Sequence, residues 1–263
     1  MLTIEDARIQ SSSFQPRTQR VDTLVLHYTA LDLEASLRVL RFGNVSVHYV
    51  LAENGIVYKI LEHDEVGYHA GVSMWCGKTR VNERSIGIEI VNLDGNRNDY
   101  PEIQIAALIE LCNQILRKNP MIKPNHIVGH SDIAPKRKID PGKKFPWKRL
   151  ADAGIGLWPS GFTLEPAGTE TETQALLERF GYPKPHAYGK KGDKTVFISD
   201  PDNPPPGVED IVHVTTADIV RAFHTRFQPD EASRTANPAT IGMLKKLVSL
   251  TSNRPGFSED SLV

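Results

Sequence analysis

The stretch "SIGIEIVNL", residues 85–93, decides the fold of this chain. Its residues are almost all apolar, as in a strand buried in a sheet, and one acid, Glu89, lies inside it. Burying a carboxylate in such a strand is unfavourable unless another group pairs with it. The stretch therefore predicts a buried β-strand that carries a polar site at Glu89.

Strands and helices alternate on both sides of this stretch. An apolar run that ends at His27 predicts a strand, and the dipeptide Asn54-Gly55 between two β-rich runs is a strong hairpin signal. Leucines at helical spacing, and an apolar face that follows Pro101, predict two helices. The predicted elements are strands over 21–30 and 126–130, a hairpin over 47–62, and helices over 31–44 and 99–120. This order predicts one α/β domain over residues 1–160.

The composition changes after this predicted domain. Residues 161–172 are rich in Gly, Pro, Thr and Glu and lack periodicity, which predicts a linker. Helical patterns follow at 173–182, 215–227 and 239–250. A Pro-, Gly- and Asp-rich stretch at 183–213 predicts a long loop insert. We therefore expect a small helical second domain over 173–252 and a disordered tail over 253–263.

The charge balance argues against a dedicated nucleic-acid-binding protein. The 263 residues include 31 basic and 32 acidic residues, for a formal net charge of −1, whereas such proteins normally carry a basic excess. Basic residues concentrate in residues 136–149, and a polyanion site in this run is an alternative. No apolar run approaches the length of a membrane span, and the first 20 residues show no Sec signal. We expect no nucleic-acid partner and no membrane span.

Four polar residues lie where strands end or where the apolar pattern is broken. His27 and His130 each close a predicted strand, Glu89 interrupts one, and Asp140 follows in a Pro- and Gly-rich loop. Two histidines and one carboxylate are enough to bind a catalytic zinc ion and leave the fourth position for water. Each signal alone is weak, because any of the nine histidines could be a core or surface residue.

Five separated motifs give these residues a context. They are "LVLHYTA", "YHAGVSMW", "SIGIEIVN", "VGHSDIAP" and "RKIDPGKKFPW". In their order and spacing, residues 1 to about 160 resemble the N-acetylmuramoyl-L-alanine amidase type 2 family, in particular its AmpD/AmiD branch. The resemblance implies a mixed central sheet flanked by helices. It also implies hydrolysis of the amide bond between N-acetylmuramic acid and L-Ala of the stem peptide.

The resemblance further implies the residues of the site. It implies that His27, His130 and Asp140 hold one Zn²⁺ per chain. It implies that Glu89 orients and deprotonates the attacking water at the metal, and that Lys138 stabilises the oxyanion. As alternatives, Glu89 could be a buried salt-bridge partner and Lys138 an ordinary solvated charge.

Substrate contacts follow from the same resemblance and from position. The resemblance implies that His69 lines the substrate groove, although a structural role fits it nearly as well. Tyr28, Asn82 and Arg84 complete the predicted contacts. The family often has Gly where this chain has Lys136, and if that glycine supplies a positive φ, Lys136 strains the loop.

The C-terminal part resembles a small helical peptidoglycan-binding module through "ALLERFGY" and "VRAFHTRFQP". The alternative is that it only packs against the catalytic domain. We expect a zinc amidase whose partners are peptidoglycan or muropeptides. The alternatives are a cytoplasmic recycling amidase specific for 1,6-anhydro-muropeptides and a non-catalytic peptidoglycan-recognition protein. The expected site of action is the periplasm or cell wall, reached for example by specialised secretion, with the cytoplasm as the alternative.

Overall fold

The structure is a computed structural model that describes residues 2–252 except residues 199, 201, 202 and 232. Its strands are β1 (Ile4–Asp6), β2 (Phe14–Pro16), β3 (Thr23–Tyr28), β4 (Tyr49–Leu51), β5 (Val57–Lys59), β6 (Glu65–Gly67), β7 (Ser85–Ile90), β8 (Ile127–Gly129), β9 (His186–Lys191), β10 (Lys194–Ile198) and β11 (Glu209–Val214). Its helices are α1 (Leu33–Phe42), α2 (Glu102–Lys118), α3 (His130–Ile133), α4 (Trp147–Asp152), α5 (Glu170–Phe180), α6 (Thr216–Phe227) and α7 (Pro238–Ser252). Two short 3₁₀ helices lie at Val81–Arg84 and Pro124–His126.

A six-stranded sheet forms the centre of the molecule, with strand order β1-β5-β4-β7-β3-β8. Strand β7 pairs in parallel with β4 and β3, and β3 pairs in parallel with β8. The hairpin predicted at Asn54-Gly55 is present as the antiparallel pair β4 and β5. The sheet is therefore mixed and carries helices, which confirms the predicted fold class.

Residues on the two central strands alternate between the two faces of the sheet, as strand geometry requires. Leu24 and Leu26 of β3, with Ile86 and Ile88 of β7, join the apolar cluster that α2 also builds. Val25 belongs to a different cluster on the other face. His27 is paired in register with Glu89, so both polar residues lie on the face opposite α2.

The C-terminal helices cover this second face of the sheet. The cluster that contains Val25 and Val128 of the sheet also contains Phe180 of α5, Phe223 of α6 and Leu244 of α7. Helices are present at all three predicted places. Because their side chains share one cluster with two central strands, α5–α7 complete the core of the N-terminal part.

The segment 183–213, which we predicted to be a long loop, is largely a three-stranded antiparallel sheet of order β10-β9-β11. A tight turn at Gly192, with φ of 58°, joins β9 to β10. Ala187 and Gly189, at alternate positions of β9, are buried, and so is Ile198, which lies opposite Ala187. The prediction was wrong because the prolines near residue 204 dominate the composition and obscure this alternation.

Two remaining expectations concern the ends of the chain and the membrane. The tail predicted at 253–263 lies outside the described residues. Among the residues that the structure describes, no helix has both the length and the apolar character needed to cross a bilayer.

Candidate metal site and catalytic pocket

Three side chains from separate parts of the fold converge on one point. His27 ends β3, His130 directly follows β8, and Asp140 lies in the loop after α3. The two Nδ1 atoms lie 3.0 Å apart, and each lies 3.0 Å from Oδ2 of Asp140. All three residues are buried. Their ligand atoms lie within 4.8 Å of one another, so the cluster could hold a metal ion.

The protonation of these groups suits a cation. Burial lowers the pKa of His130 to about 4, so its imidazole is neutral near pH 7. Although burial favours the neutral acid, His130 and His27 beside Asp140 hold the pKa of that carboxyl well below its usual range. Metal ligands must present neutral imidazole and charged carboxylate, and His130 and Asp140 meet these requirements.

The far nitrogen of each histidine has a hydrogen-bond partner that fixes the ring. Nε2 of His130 lies 3.1 Å from the carbonyl oxygen of Ala70. A carbonyl only accepts, so Nε2 carries the proton and Nδ1 presents its lone pair to the cluster. Nε2 of His27 lies 3.0 Å from Nδ1 of His69. Such outer partners normally orient metal-binding histidines.

His69 is held in turn by the neighbouring strand. Its Nε2 lies 3.3 Å from Oγ of Ser85, and burial keeps the pKa of His69 well below its ordinary value. The neutral ring can accept at Nδ1 from His27 and donate at Nε2 to Ser85. A Cβ at Gly87 would lie 2.7 to 2.8 Å from this ring. Glycine at that position therefore provides the space that His69 occupies.

The loop that carries Asp140 is fastened to the residues after β7. The backbone N–H of Ser131 donates to the Asp140 carbonyl over 2.9 Å. Tyr100 donates its hydroxyl to the carbonyl of Pro141 over 2.8 Å. A Cβ at Gly95 would lie only 2.1 Å from that carbonyl oxygen, so the two loops approach closely because Gly95 has no side chain.

A pocket of about 360 Å³ opens beside the cluster. Besides His130 and Asp140 of the cluster, its lining includes four predicted site residues, Tyr28, His69, Glu89 and Lys138. Burial raises the pKa of Glu89 to about 7, with His27 and Lys138 acting against this rise and Asp140 adding to it. Oε2 of Glu89 is buried and has no hydrogen-bond partner among the described residues. A buried polar atom without a partner indicates a missing group, which a water or substrate in the pocket would supply.

Two predicted substrate contacts do not line the pocket. Arg84 is 4% exposed and forms an ion pair with Asp22 at 2.8 Å. Oδ1 of Asn82 accepts from the backbone N–H groups of His69 and Ala70. These contacts point both side chains toward the fold, so the structure does not bring Asn82 and Arg84 together with the pocket residues.

Arg137 is a pocket residue to which sequence reasoning gave no role. Its Nη2 donates to the carbonyl oxygens of Ala70 and Val72, each over 2.6 Å. No acidic partner lies within ion-pair distance of its guanidinium in the part of the chain that the structure describes. Its position beside Lys138 in the basic run was the only available signal.

The backbone of Lys136 supports the prediction that this residue strains its loop. Lys136 has φ of 66°, in the left-handed region that glycine adopts without strain. Its Nζ donates to the carbonyl of His213 over 2.8 Å and lies 3.6 Å from Oδ2 of Asp218. Contacts from β11 and α6 thus hold this strained residue.

The part of the chain that matches a known protein family includes all three residues of the cluster. A family model described as N-acetylmuramoyl-L-alanine amidase matches residues 17–143. The N-acetylmuramoyl-L-alanine amidase AmiD of Escherichia coli (strain K12) is 39% identical over 200 residues, which cover 67% of this chain and 71% of AmiD. The 1,6-anhydro-N-acetylmuramyl-L-alanine amidase AmpD of Haemophilus influenzae is 34% identical over 167 residues, which cover 54% of this chain and 88% of AmpD.

A solved structure is similar over most of the chain. It is the complex of the Escherichia coli amidase AmiD with the substrate anhydro-N-acetylmuramic acid-L-Ala-D-γ-Glu-L-Lys. The match has a TM-score of 0.70 and 30% sequence identity, and it covers 90% of this chain and 92% of that chain. The similarity therefore includes the C-terminal helices as well as the site.

Proposed function

This chain belongs to the N-acetylmuramoyl-L-alanine amidase family, and from that premise we propose that it hydrolyses the amide bond between N-acetylmuramic acid and L-Ala in peptidoglycan or its fragments. The observation that carries the proposal is the convergence of His27, His130 and Asp140 beside Glu89 in one pocket. The AmiD relative was solved with a muropeptide substrate, which supports the same substrate class here.

We propose that His27, His130 and Asp140 hold one zinc ion. Two imidazole nitrogens and one carboxylate are a donor set that catalytic zinc uses, and both histidines have outer hydrogen-bond partners. Zinc in this position would polarise the scissile carbonyl and lower the pKa of a water. The neutral His130 and the charged Asp140 support this assignment.

We propose that Glu89 is the general base. Its pKa of about 7 lies near neutral pH, where a carboxylate can both take a proton from the attacking water and give it to the leaving amine. Its Oε2 is an acceptor without a hydrogen-bond partner in the described part of the chain. Lys138, which lines the same pocket, would stabilise the negative charge that develops on the carbonyl oxygen.

We propose that Arg137 binds a carboxylate of the stem peptide. Guanidinium groups pair well with carboxylates, and Arg137 lines the pocket without an acidic partner among the described residues. Tyr28 and His69 line the same pocket. The muropeptide in the AmiD complex contains γ-linked D-Glu, a residue whose free carboxylate is an acid of the required kind.

The substrate range has two candidates, and the relatives favour neither alone. AmpD is named for the 1,6-anhydro form of the substrate, whereas AmiD is named for the general activity. We propose action on intact peptidoglycan in the periplasm or cell wall, because AmiD, which is named for the general activity, matches 90% of this chain in its solved structure. Restriction to 1,6-anhydro-muropeptides in the cytoplasm is the alternative.

The test compares wild-type protein with Glu89→Gln on intact sacculi and on a 1,6-anhydro-muropeptide. The variant removes the base but no metal ligand, so we expect kcat to fall about 10²- to 10⁴-fold. Zinc content, measured by elemental analysis, should stay at one ion per chain. Wild-type protein that lacks zinc and cleaves neither substrate would contradict the proposal, and cleavage of the anhydro-muropeptide alone would select the narrower substrate.

A further inference from the structure

Asp132 connects the metal cluster to the C-terminal helices. It lies two residues after His130 in α3 and is fully buried. Its Oδ2 accepts from the backbone N–H of Gly129 over 2.8 Å, immediately before His130. The same oxygen accepts from Arg226 over 2.7 Å, and Oδ1 accepts from the Tyr182 hydroxyl over 2.6 Å. Two C-terminal residues thus hold the carboxylate that fixes the turn at His130.

Arg226 is placed by several further contacts. Its side chain is 2% exposed, and its Nη2 donates to the carbonyl of Ile127 in β8 over 3.1 Å. Its guanidinium lies 4.0 Å from the centre of the Trp147 ring. A charge buried to this extent depends on its partner, because removing one partner leaves the other uncompensated. Arg226 and Asp132 therefore fix α6 against β8 and α3.

A second contact from the C-terminal region reaches the segment between the two ligands. Lys136 lies between His130 and Asp140, and its strained backbone is held by the contacts of its Nζ with His213 of β11 and Asp218 of α6. A non-glycine residue keeps such a conformation only when its surroundings impose it. Here the surroundings belong to the C-terminal region.

From these contacts we infer that the C-terminal helices position residues 130–140, the segment that carries two of the proposed metal ligands. Arg226, Tyr182 and Lys136 are then positioning residues for His130 and Asp140. The inference rests on the proposed metal site. It differs from the role of a separate wall-binding module, because the Asp132 contacts are buried and all these contacts end between His130 and Asp140. Loss of these contacts would loosen the cluster even in the absence of substrate.

The test uses full-length protein with Arg226→Met, Tyr182→Phe and Lys136→Met. The matched control is Arg221→Met, on the exposed side of the same helix. Zinc affinity is measured by competition with a chelator, and the visible absorption of Co²⁺-substituted protein reports the geometry around the metal. Outer residues of metal sites typically change affinity about 10- to 100-fold. We expect such a loss for Arg226→Met, a smaller loss for Tyr182→Phe, a changed Co²⁺ spectrum for both, and neither effect for Arg221→Met.

Lys136→Gly is the complement of Lys136→Met. Methionine loses the anchor and keeps the strained φ, whereas glycine loses the anchor and relieves the strain, so glycine should recover most of the zinc affinity. If Arg226→Met does not fold, the inference is tested by Tyr182→Phe and by the comparison of Lys136→Met with Lys136→Gly. These variants leave the buried ion pair between Arg226 and Asp132 intact. Folded variants with wild-type affinity and spectrum would overturn the inference. Wild-type protein that binds zinc without cleaving a muropeptide would overturn only the proposed function.

Discussion

Gly87 shows how one residue without a side chain shapes the site. It lies between Ser85 and Glu89 on the face of β7 that carries the polar residues, and the ring of His69 packs directly over it. His69 in turn contacts the far nitrogen of His27. A residue that contributes no functional group therefore determines whether a proposed metal ligand is held in place.

Gly87→Ala should weaken zinc binding through His69. The added methyl group would lie 2.7 to 2.8 Å from ring atoms of His69, which is closer than van der Waals contact allows. The ring must move, and His27 loses the partner of its Nε2. We expect zinc affinity to fall about 10- to 100-fold, as measured by chelator competition. The double variant Gly87→Ala/His69→Ala should bind zinc as His69→Ala alone does, and additive losses would contradict this route.

The sequence motifs indicated the residues of the cluster but not the groups around them. His27, Glu89, His130, Lys138 and Asp140 all lie within or directly beside motif residues, and the structure brings all five together. The contact between Asp132 and Arg226 joins residues 94 positions apart, and no local sequence pattern predicts such a contact. Asn82 and Arg84 lie outside the pocket lining, and their side chains contact the backbone of His69 and Ala70 and the carboxylate of Asp22.

At the scale of elements, helix α5 begins inside the segment predicted to be a linker. Thr169 accepts the backbone N–H of Glu172 over 3.2 Å, and the Glu172 carboxylate accepts the backbone N–H of Thr169 over 2.8 Å. This reciprocal pair is a capping box. The signal was present in the sequence, but the surrounding Gly, Pro and Thr residues favoured a linker. The long helices, with their helical spacing, and the main strands, with their apolar runs, were predicted correctly.

Thr169→Ala should destabilise the whole protein rather than only its C-terminal end. Loss of an N-cap hydroxyl costs about 1 kcal/mol, and α5 shares its apolar cluster with the central sheet. We expect one urea transition, monitored by circular dichroism, with the free energy of unfolding reduced by about that amount. Thr171→Ala, in the exposed first turn of the same helix, is the control. A separate early transition for the C-terminal helices would contradict a shared core.

At the scale of the whole molecule, two histidines outside the pocket, the buried His48 and the half-buried His63, link stability to pH. Burial lowers the pKa of His48 to about 3, and Arg17 and His63 nearby act in the same direction. Burial, with Lys118 and Arg17 nearby, lowers the pKa of His63 to about 4. The unfolded chain takes up protons near pH 6.5, before the native protein does. Stability is therefore full above pH 6.5 and falls as the pH drops toward these native values.

His63→Gln should make this loss of stability less steep. Each histidine contributes up to about 1.4 kcal/mol per pH unit inside its window, so removing His63 should reduce the slope by that amount between pH 6.5 and 4. Urea unfolding of both proteins at pH 7, 6 and 5 measures the two slopes. Equal slopes would show that the native protein protonates His63 as readily as the unfolded chain does.

The two faces of the central sheet can be changed independently by a protein engineer. Leu24, Leu26, Ile86 and Ile88 point toward α2, whereas the proposed catalytic side chains of the same strands point the other way. A combinatorial library restricted to the α2 side would vary thermal tolerance without altering any group in the pocket. Selection for heat resistance and selection for a new substrate could then proceed in parallel and be combined afterwards.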